Sequence, residues 1–114
     1  MKEFLLIFRN APMGDFKPSP EQMQSHMKDW DNWIGGIAAQ GKFISGSRLG
    51  TEGKTLKPNN TITDGPFIEV KEILGGFVIV KANSFDDAFS LANGCPNLSV
   101  GGSVEVRNVI GNND

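Results

Sequence analysis

The sequence has no tyrosine, one cysteine (Cys95) and one histidine (His26) in 114 residues. Without tyrosine there is no phenolic group for acid catalysis. A single cysteine excludes an internal disulfide, and one cysteine with one histidine cannot build an ordinary structural zinc site. Cys95 stands before Pro96 with no obvious histidine partner, so a thiolate nucleophile lacks its usual base. No apolar run approaches the roughly 18–20 residues that span a bilayer. The run nearest the N-terminus, Phe4 to Phe8, is too short for a secretory core segment, and no small-residue cleavage site follows it. With 13 acidic and 11 basic residues the net charge is −2, which lacks the basic excess of a nucleic-acid binder. There is no P-loop, no dinucleotide glycine pattern and no G-x-S-x-G elbow. Val100-Gly101-Gly102-Ser103 has no following helix to hold a phosphate. These absences predict a cytoplasmic protein with no metal, no cofactor, no nucleic-acid partner and no membrane partner.

What is present suits one folded domain. Hydrophobic residues at 39% and charged residues at 21% can form a core. We read residues 1–110 as a single domain and 111–114 as a frayed polar tail. Phe4-Leu5-Leu6-Ile7-Phe8 reads as a buried strand, and Ala11 to Pro18 as a loop. Ser19, Pro20 and Gln22 form the start signal of a helix. Met23, Met27, Trp30, Ile34, Ile37 and Ala38 then recur at helical spacing, and Gly41 stops the run. Lys42 to Leu49 reads as a strand; Lys54-Leu56 and Thr61-Thr63 flank Pro58-Asn59-Asn60 as a hairpin. Asp64-Gly65-Pro66 is a further turn, and Gly76 to Val80 a second buried strand. Ser84 and Asp87 open a helix whose apolar face is Phe85, Ala88, Phe89 and Ala92, ended by Asn93-Gly94 and Pro96. Val104 to Arg107 alternates as the last strand. The order β-α-β-hairpin-β-α-β is the split βαβ arrangement of a ferredoxin-like α+β fold. Two helices cover one face of such a sheet. A second copy of the chain, sheet facing sheet in a homodimer, would cover the other.

The stretch Thr63-Asp64-Gly65-Pro66-Phe67-Ile68-Glu69-Val70-Lys71-Glu72-Ile73-Leu74-Gly75-Gly76-Phe77 resembles the signature of the DGPF branch of the YCII-related family. Trp30-x-x-Trp33 resembles its first helix, and Cys95-Pro96 with Gly101 to Arg107 its C-terminal strand. The likeness runs from about Lys2 to Val109. It implies a dimeric α+β barrel with a cleft in each subunit. Related proteins carry a His–Asp pair suited to acid–base chemistry, and some act on halogenated aromatic compounds. The DGPF branch is also associated with extracytoplasmic-function sigma factors. One scaffold thus carries two kinds of work, and the fold does not choose between them.

His26 lies about 60° from the centre of the first helix's apolar stripe, with Trp33 about 80° and Asp29 about 120° off on the same side. His26 is read either as a general base oriented by Asp29 or as a half-exposed helix residue. Trp30 is read as core, and Trp33 as a surface that stacks on a flat ligand or on the second subunit. Asp64 is the preferred carboxylate: a turn-former by position, and an acid or base if desolvation raises its pKa beside a cleft. Phe67 fills the core, the dimer seam or the ligand cleft. Arg9, Arg48 and Arg107 are strand-end guanidiniums that either pair with acids or bind an anionic ligand. Glu105 and Arg107 point the same way from their strand. Glu69, Lys71 and Glu72 are read as solvated or as intersubunit ion pairs. The first functional reading is a cofactor-free acid–base enzyme acting on a small aromatic or acidic molecule. It would use His26 and Asp64, with Trp33, Arg48, Phe67 and Arg107 as ligand contacts. The alternative is a non-catalytic ligand-binding or accessory module working with a sigma factor.

Overall fold

The computed structural model describes residues 1–10, 18–50, 52–64, 68–69 and 72–111. Its elements are β1 (Lys2–Asn10), α1 (Pro20–Ala39), β2 (Phe43–Arg48), β3 (Lys54–Lys57), β4 (Thr61–Asp64), β5 (Ile68–Glu69), β6 (Glu72–Ala82), α2 (Phe85–Ala92), α3 (Pro96–Ser99) and β7 (Ser103–Asn108). The main sheet runs β2-β6-β1-β7, with β5 folded back onto the start of β6. All its pairings are antiparallel. Two βαβ halves interleave so that β6 separates β1 from β2, as the element order predicted. The turn Gly65-Pro66-Phe67, the loop Ala11–Lys17, Val70-Lys71 and the tail 112–114 lie outside the described residues.

The alternation in β1 sets the layers. Phe4, Leu6 and Phe8 are buried together with Val78 and Val80 of β6 and Ile37, Ala88 and Ala92 of the helices. Leu5 and Ile7 point the other way, opposite Ile79 and Phe77 on one side and Arg107 and Glu105 on the other. Core and helices therefore lie on one face of the sheet.

α1 begins as predicted: Ser19 Oγ accepts from Gln22 N at 3.1 Å, and the Gln22 side chain accepts from Ser19 N at 2.8 Å. Gly41 takes a φ of 71°, the left-handed backbone that a helix end of this kind requires. Two expectations differ. Met23 and Met27 are exposed, and Ile37 is the buried residue of α1. In α2, Ala88 and Ala92 are buried while Phe85 and Phe89 are largely exposed. α2 rests on the sheet through its small residues, which brings the backbone close, while Phe85 packs edge to face on Phe4 at 5.0 Å and Phe89 stays outside.

α2 is tied to β2 through one flank. Lys42 Nζ lies 3.4 Å from Asp87 Oδ2, and Asn83 N donates to the same carboxylate at 2.9 Å. The Asn83 N–H, aided by Lys42, holds the Asp87 carboxyl below its ordinary value. Pro96 does not merely stop α2. It starts α3, where its fixed φ suits a first helical turn and Cys95 caps it.

The hairpin β3–β4 stands apart as its own two-stranded sheet, turning at Asn59 with φ of 70°. Leu56 faces Ile62 across it, and both are exposed. Among the described residues no helix is long and apolar enough to cross a membrane.

Cys95 gives a test of the core. It is buried, and burial pushes its thiol from 9.0 up to about 11. The folded state holds the proton more tightly than the unfolded chain. The contribution is therefore complete below pH 9 and is lost as pH rises from 9 toward 11. Melting temperatures across that range should fall more steeply for the wild type than for Cys95→Ala. Equal slopes would contradict the burial.

Candidate functional site

A cavity of about 380 Å³ opens between α1 and the sheet ends of β1, β2 and β6. Ligand pockets of small molecules occupy this size range. Three aromatic side chains line it, Phe8, Trp30 and Phe43, while Phe77 contributes its backbone, its side chain lying on the other sheet face with Ile7. The sequence explains the space beneath them. A Cβ on Gly46 would lie 2.8 Å from the Phe77 carbonyl, and one on Gly76 would lie 2.8 Å from the Ser47 carbonyl. Strands β2 and β6 approach too closely there for side chains, so the floor is bare backbone.

The polar lining comes from several elements. α1 gives His26 and Asp31, β1 gives Asn10, β2 gives Arg48 and α3 gives Asn97. His26 is half-buried, and its Nε2 accepts from Trp30 Nε1 at 2.8 Å. An acceptor at Nε2 places the ring proton on Nδ1, which has no partner among the described residues. The predicted partner was Asp29, yet the structure pairs His26 with Trp30. Side chains on a helix lean toward its N-terminus, so the indole at i+4 reaches back over the imidazole. Asp29 is exposed.

Trp33 sits outside the cavity. Its Nε1 donates to the Leu91 carbonyl at 2.9 Å, fastening α1 to α2. Its ring lies 5.6 Å from Trp30 and 5.8 Å from Phe8, both edge to face. Phe8 is also 4.9 Å from Trp30, so one core ring carries both indoles. The indole that faces the cavity is Trp30.

Asn97 braces the far wall. It is buried, and its Nδ2 donates to the carbonyls of Arg9 at 3.3 Å and Ser103 at 2.9 Å. That ties the end of β1 to the start of β7. Gly102 lies against the Asn10 and Asn97 side chains, where a Cβ would collide with both.

Of the residues singled out in the sequence, His26 and Arg48 meet at this cavity. Arg107 is on β7 with its side chain on the opposite face of the sheet from the core. Asp64 ends β4 in the separate hairpin, its backbone opposite Lys54, and its carboxyl lies outside the described residues. Phe67 also lies outside them. Asp31, Asn10 and Asn97 were missed. Asp31 had a readable signal: Met27, Trp30 and Ile34 share its side of α1, so an acid among them faces the cavity. Asn10 and Asn97 had none, because β1 and α3 are joined only by the fold. Among the described residues no group of His, Cys, Asp and Glu is placed to hold a metal ion.

Three comparisons bear on this geometry. An uncharacterized protein, R00369, of Rhizobium meliloti (strain 1021) is 34% identical over 82 residues, which is 61% of this chain and 66% of that protein. The match thus covers just under two thirds of that relative. The structure is similar to 5-chloro-2-hydroxyhydroquinone dehydrochlorinase (TftG) from Burkholderia phenoliruptrix AC1100, solved in complex with 2,5-dihydroxybenzoquinone, with a TM-score of 0.55. That likeness covers 96% of each chain at 18% identity and establishes the shared ferredoxin-like α+β fold. The profile of the YCII-related domain matches residues 4–112, nearly the whole of the sequence. The chain belongs to the YCII-related family.

Proposed function

We propose that the cavity binds a small, flat, anionic molecule, an aromatic or acidic compound, and that His26 exchanges a proton with it without a cofactor. The observation behind this is the joining of an aromatic-walled space of about 380 Å³ to the Arg48 guanidinium at the end of β2. The rings of Trp30 and Phe43 offer faces for a planar ligand. Arg48 can meet a carboxylate or phenolate through a fork of two N–H donors. The Nδ1–H of neutral His26 is a donor to a bound oxygen. His26 takes up a proton when its Nε2 lone pair releases the Trp30 N–H, and returns it from the imidazolium. Asp31 is the carboxylate that shares the cavity with it. The oxygenated quinone ring bound by the dehydrochlorinase of like fold supports a ligand of this shape. In this reading the protein is cytoplasmic and works as a homodimer with the Leu5–Ile7 faces of two sheets apposed.

The test is a thermal-shift and calorimetric series with 2,5-dihydroxybenzoquinone and hydroxybenzoates. A ligand at 100 times its Kd adds about 2.7 kcal/mol, which moves Tm by several degrees in a domain this size. Arg48→Ala should weaken binding at least about tenfold, the share of one charge-assisted hydrogen bond. His26→Gln should bind ligand but lose any turnover. Binding of the same strength in Arg48→Ala would sink the proposal.

A further inference from the structure

Asn10 ends β1 half-buried, and its carboxamide has no partner among the described residues. Two glycines make room for it. A Cβ on Gly75 of β6 would lie 3.2 Å from Asn10 Nδ2, and a Cβ on Gly102 would collide with Asn10 Oδ1 and with the Asn97 amide. The carboxamide thus lies across the end of the sheet, with Nδ2 toward β6 and Oδ1 beside Asn97. Asn97 is 2% exposed and directs both amide hydrogens to the carbonyls of Arg9 and Ser103. Its Oδ1 accepts no hydrogen bond from the described residues. Among those residues no fully buried side-chain nitrogen or oxygen lacks a partner, so this oxygen keeps access to open space. The space that Asn97 lines is the cavity.

We propose that Asn10 Nδ2 and Asn97 Oδ1 form a neutral pole of the cavity that binds a hydroxyl group of the ligand, opposite the anion held by Arg48. The inference rests on the aromatic-anion reading of the cavity and narrows it to monoanions with a hydroxyl at the far end of the ring. Asn10 Nδ2–H donates to the hydroxyl oxygen, and Asn97 Oδ1 accepts from the hydroxyl O–H. A second carboxylate is refused at this pole. Arg48 is the one guanidinium lining the cavity among the described residues, and the Asn10 and Asn97 side-chain oxygens stand at the other end. A carboxylate there would lose water and gain no cation. A bare ring edge would leave the two amide groups without partners, so a hydroxyl is preferred over hydrogen as well.

The sheet sets the separation of the two poles. Phe8, Gly76 and Arg48 stand in one row across β1, β6 and β2. Asn10 follows Phe8 by two residues and keeps to the same face of the sheet. Arg48 is therefore two strands away from Asn10 across the sheet, about 10 Å, and two residues away along it, about 7 Å. Both residues line the cavity, so polar groups enter it from different ends. A benzene ring with its carboxylate and hydroxyl in para relation suits that placement. Ortho substituents sit side by side and reach one pole only.

Calorimetry on the full chain with benzoate, ortho-hydroxybenzoate and para-hydroxybenzoate tests this. The wild type should bind the para isomer about tenfold more tightly than either of the others, the net worth of two neutral hydrogen bonds. That comparison needs no variant. Asn10→Ala should remove most of the preference, bringing the para isomer close to benzoate, with a melting curve to check folding. Gly75→Ala crowds Asn10 Nδ2 without removing it and should lower the preference as well. Equal binding of the two isomers, both weakened by Arg48→Ala, would overturn the hydroxyl pole and leave the anion site standing. A para preference that survives intact in Asn10→Ala would overturn it too. If none of the three probes binds, the aromatic-anion reading falls and the hydroxyl pole falls with it.

Discussion

Phe8→Ala should cost about 3–5 kcal/mol, the usual loss for truncating a buried phenylalanine. Total stability of a domain this size is about 5–15 kcal/mol, so the variant should be partly unfolded at physiological temperature. The cause is specific to the site. Phe8 is 4% exposed and supports the edges of both Trp30 and Trp33. Without its ring, α1 loses its seat on β1, and Trp30 loses the contact that orients it toward His26. Urea unfolding followed by tryptophan fluorescence measures the effect, since Trp30 and Trp33 are the two tryptophans of the chain. Phe8→Leu keeps most of the volume and should retain much of the stability. A loss below about 1 kcal/mol in Phe8→Ala would show that the aromatic cluster is not the anchor of α1.

The second large effect is expected at Asn97. Its amide donates to two carbonyls, Arg9 and Ser103, at the junction of β1 and β7. Asn97→Leu keeps the bulk and removes both donors. Each hydrogen bond lost costs about 0.5–1.5 kcal/mol. The damage should be local as well as global. Hydrogen exchange at the end of β1 and the start of β7 should quicken more than exchange in the centre of β6. Uniform acceleration across the sheet would mean that Asn97 serves overall stability and not this junction. Because Asn97 lines the cavity, ligand binding should weaken in parallel.

The fold was largely legible because its signals are local. Ser19-Pro20-x-Gln22 specifies a helix start through bonds within four residues, and the structure makes both of them. Pro58-Asn59-Asn60 specifies a turn in the same way, and Asn59 takes the left-handed backbone. The site was less legible, for a physical reason. Its walls come from β1, α1, β2, β6 and α3, which touch only after the sheet has formed. His26 was found because it is the one histidine, and Arg48 because it ends a strand. The partner of His26 was missed because charge suggested Asp29, while the direction in which helical side chains lean favoured Trp30. Trp33 looked free to meet a ligand because its helix position lies at the edge of the stripe. Its N–H is spent on Leu91, 58 residues away, and no periodicity reports that.

The central place of β1 also governs how the chain acquires its structure. β1 lies between β6 and β7, whose paired residues follow it by 63 to 104 positions. Contacts so remote in sequence close slowly, since the loop entropy must be met before the pairing rewards it. During synthesis Phe4-Leu5-Leu6-Ile7-Phe8 leaves the ribosome before β6 and β7 and waits for both neighbours. At about 5–20 residues per second that wait lasts several seconds, with a strongly apolar strand unpaired. The same alternation that makes β1 the spine of the finished sheet makes it the segment most in need of protection while the chain is being made.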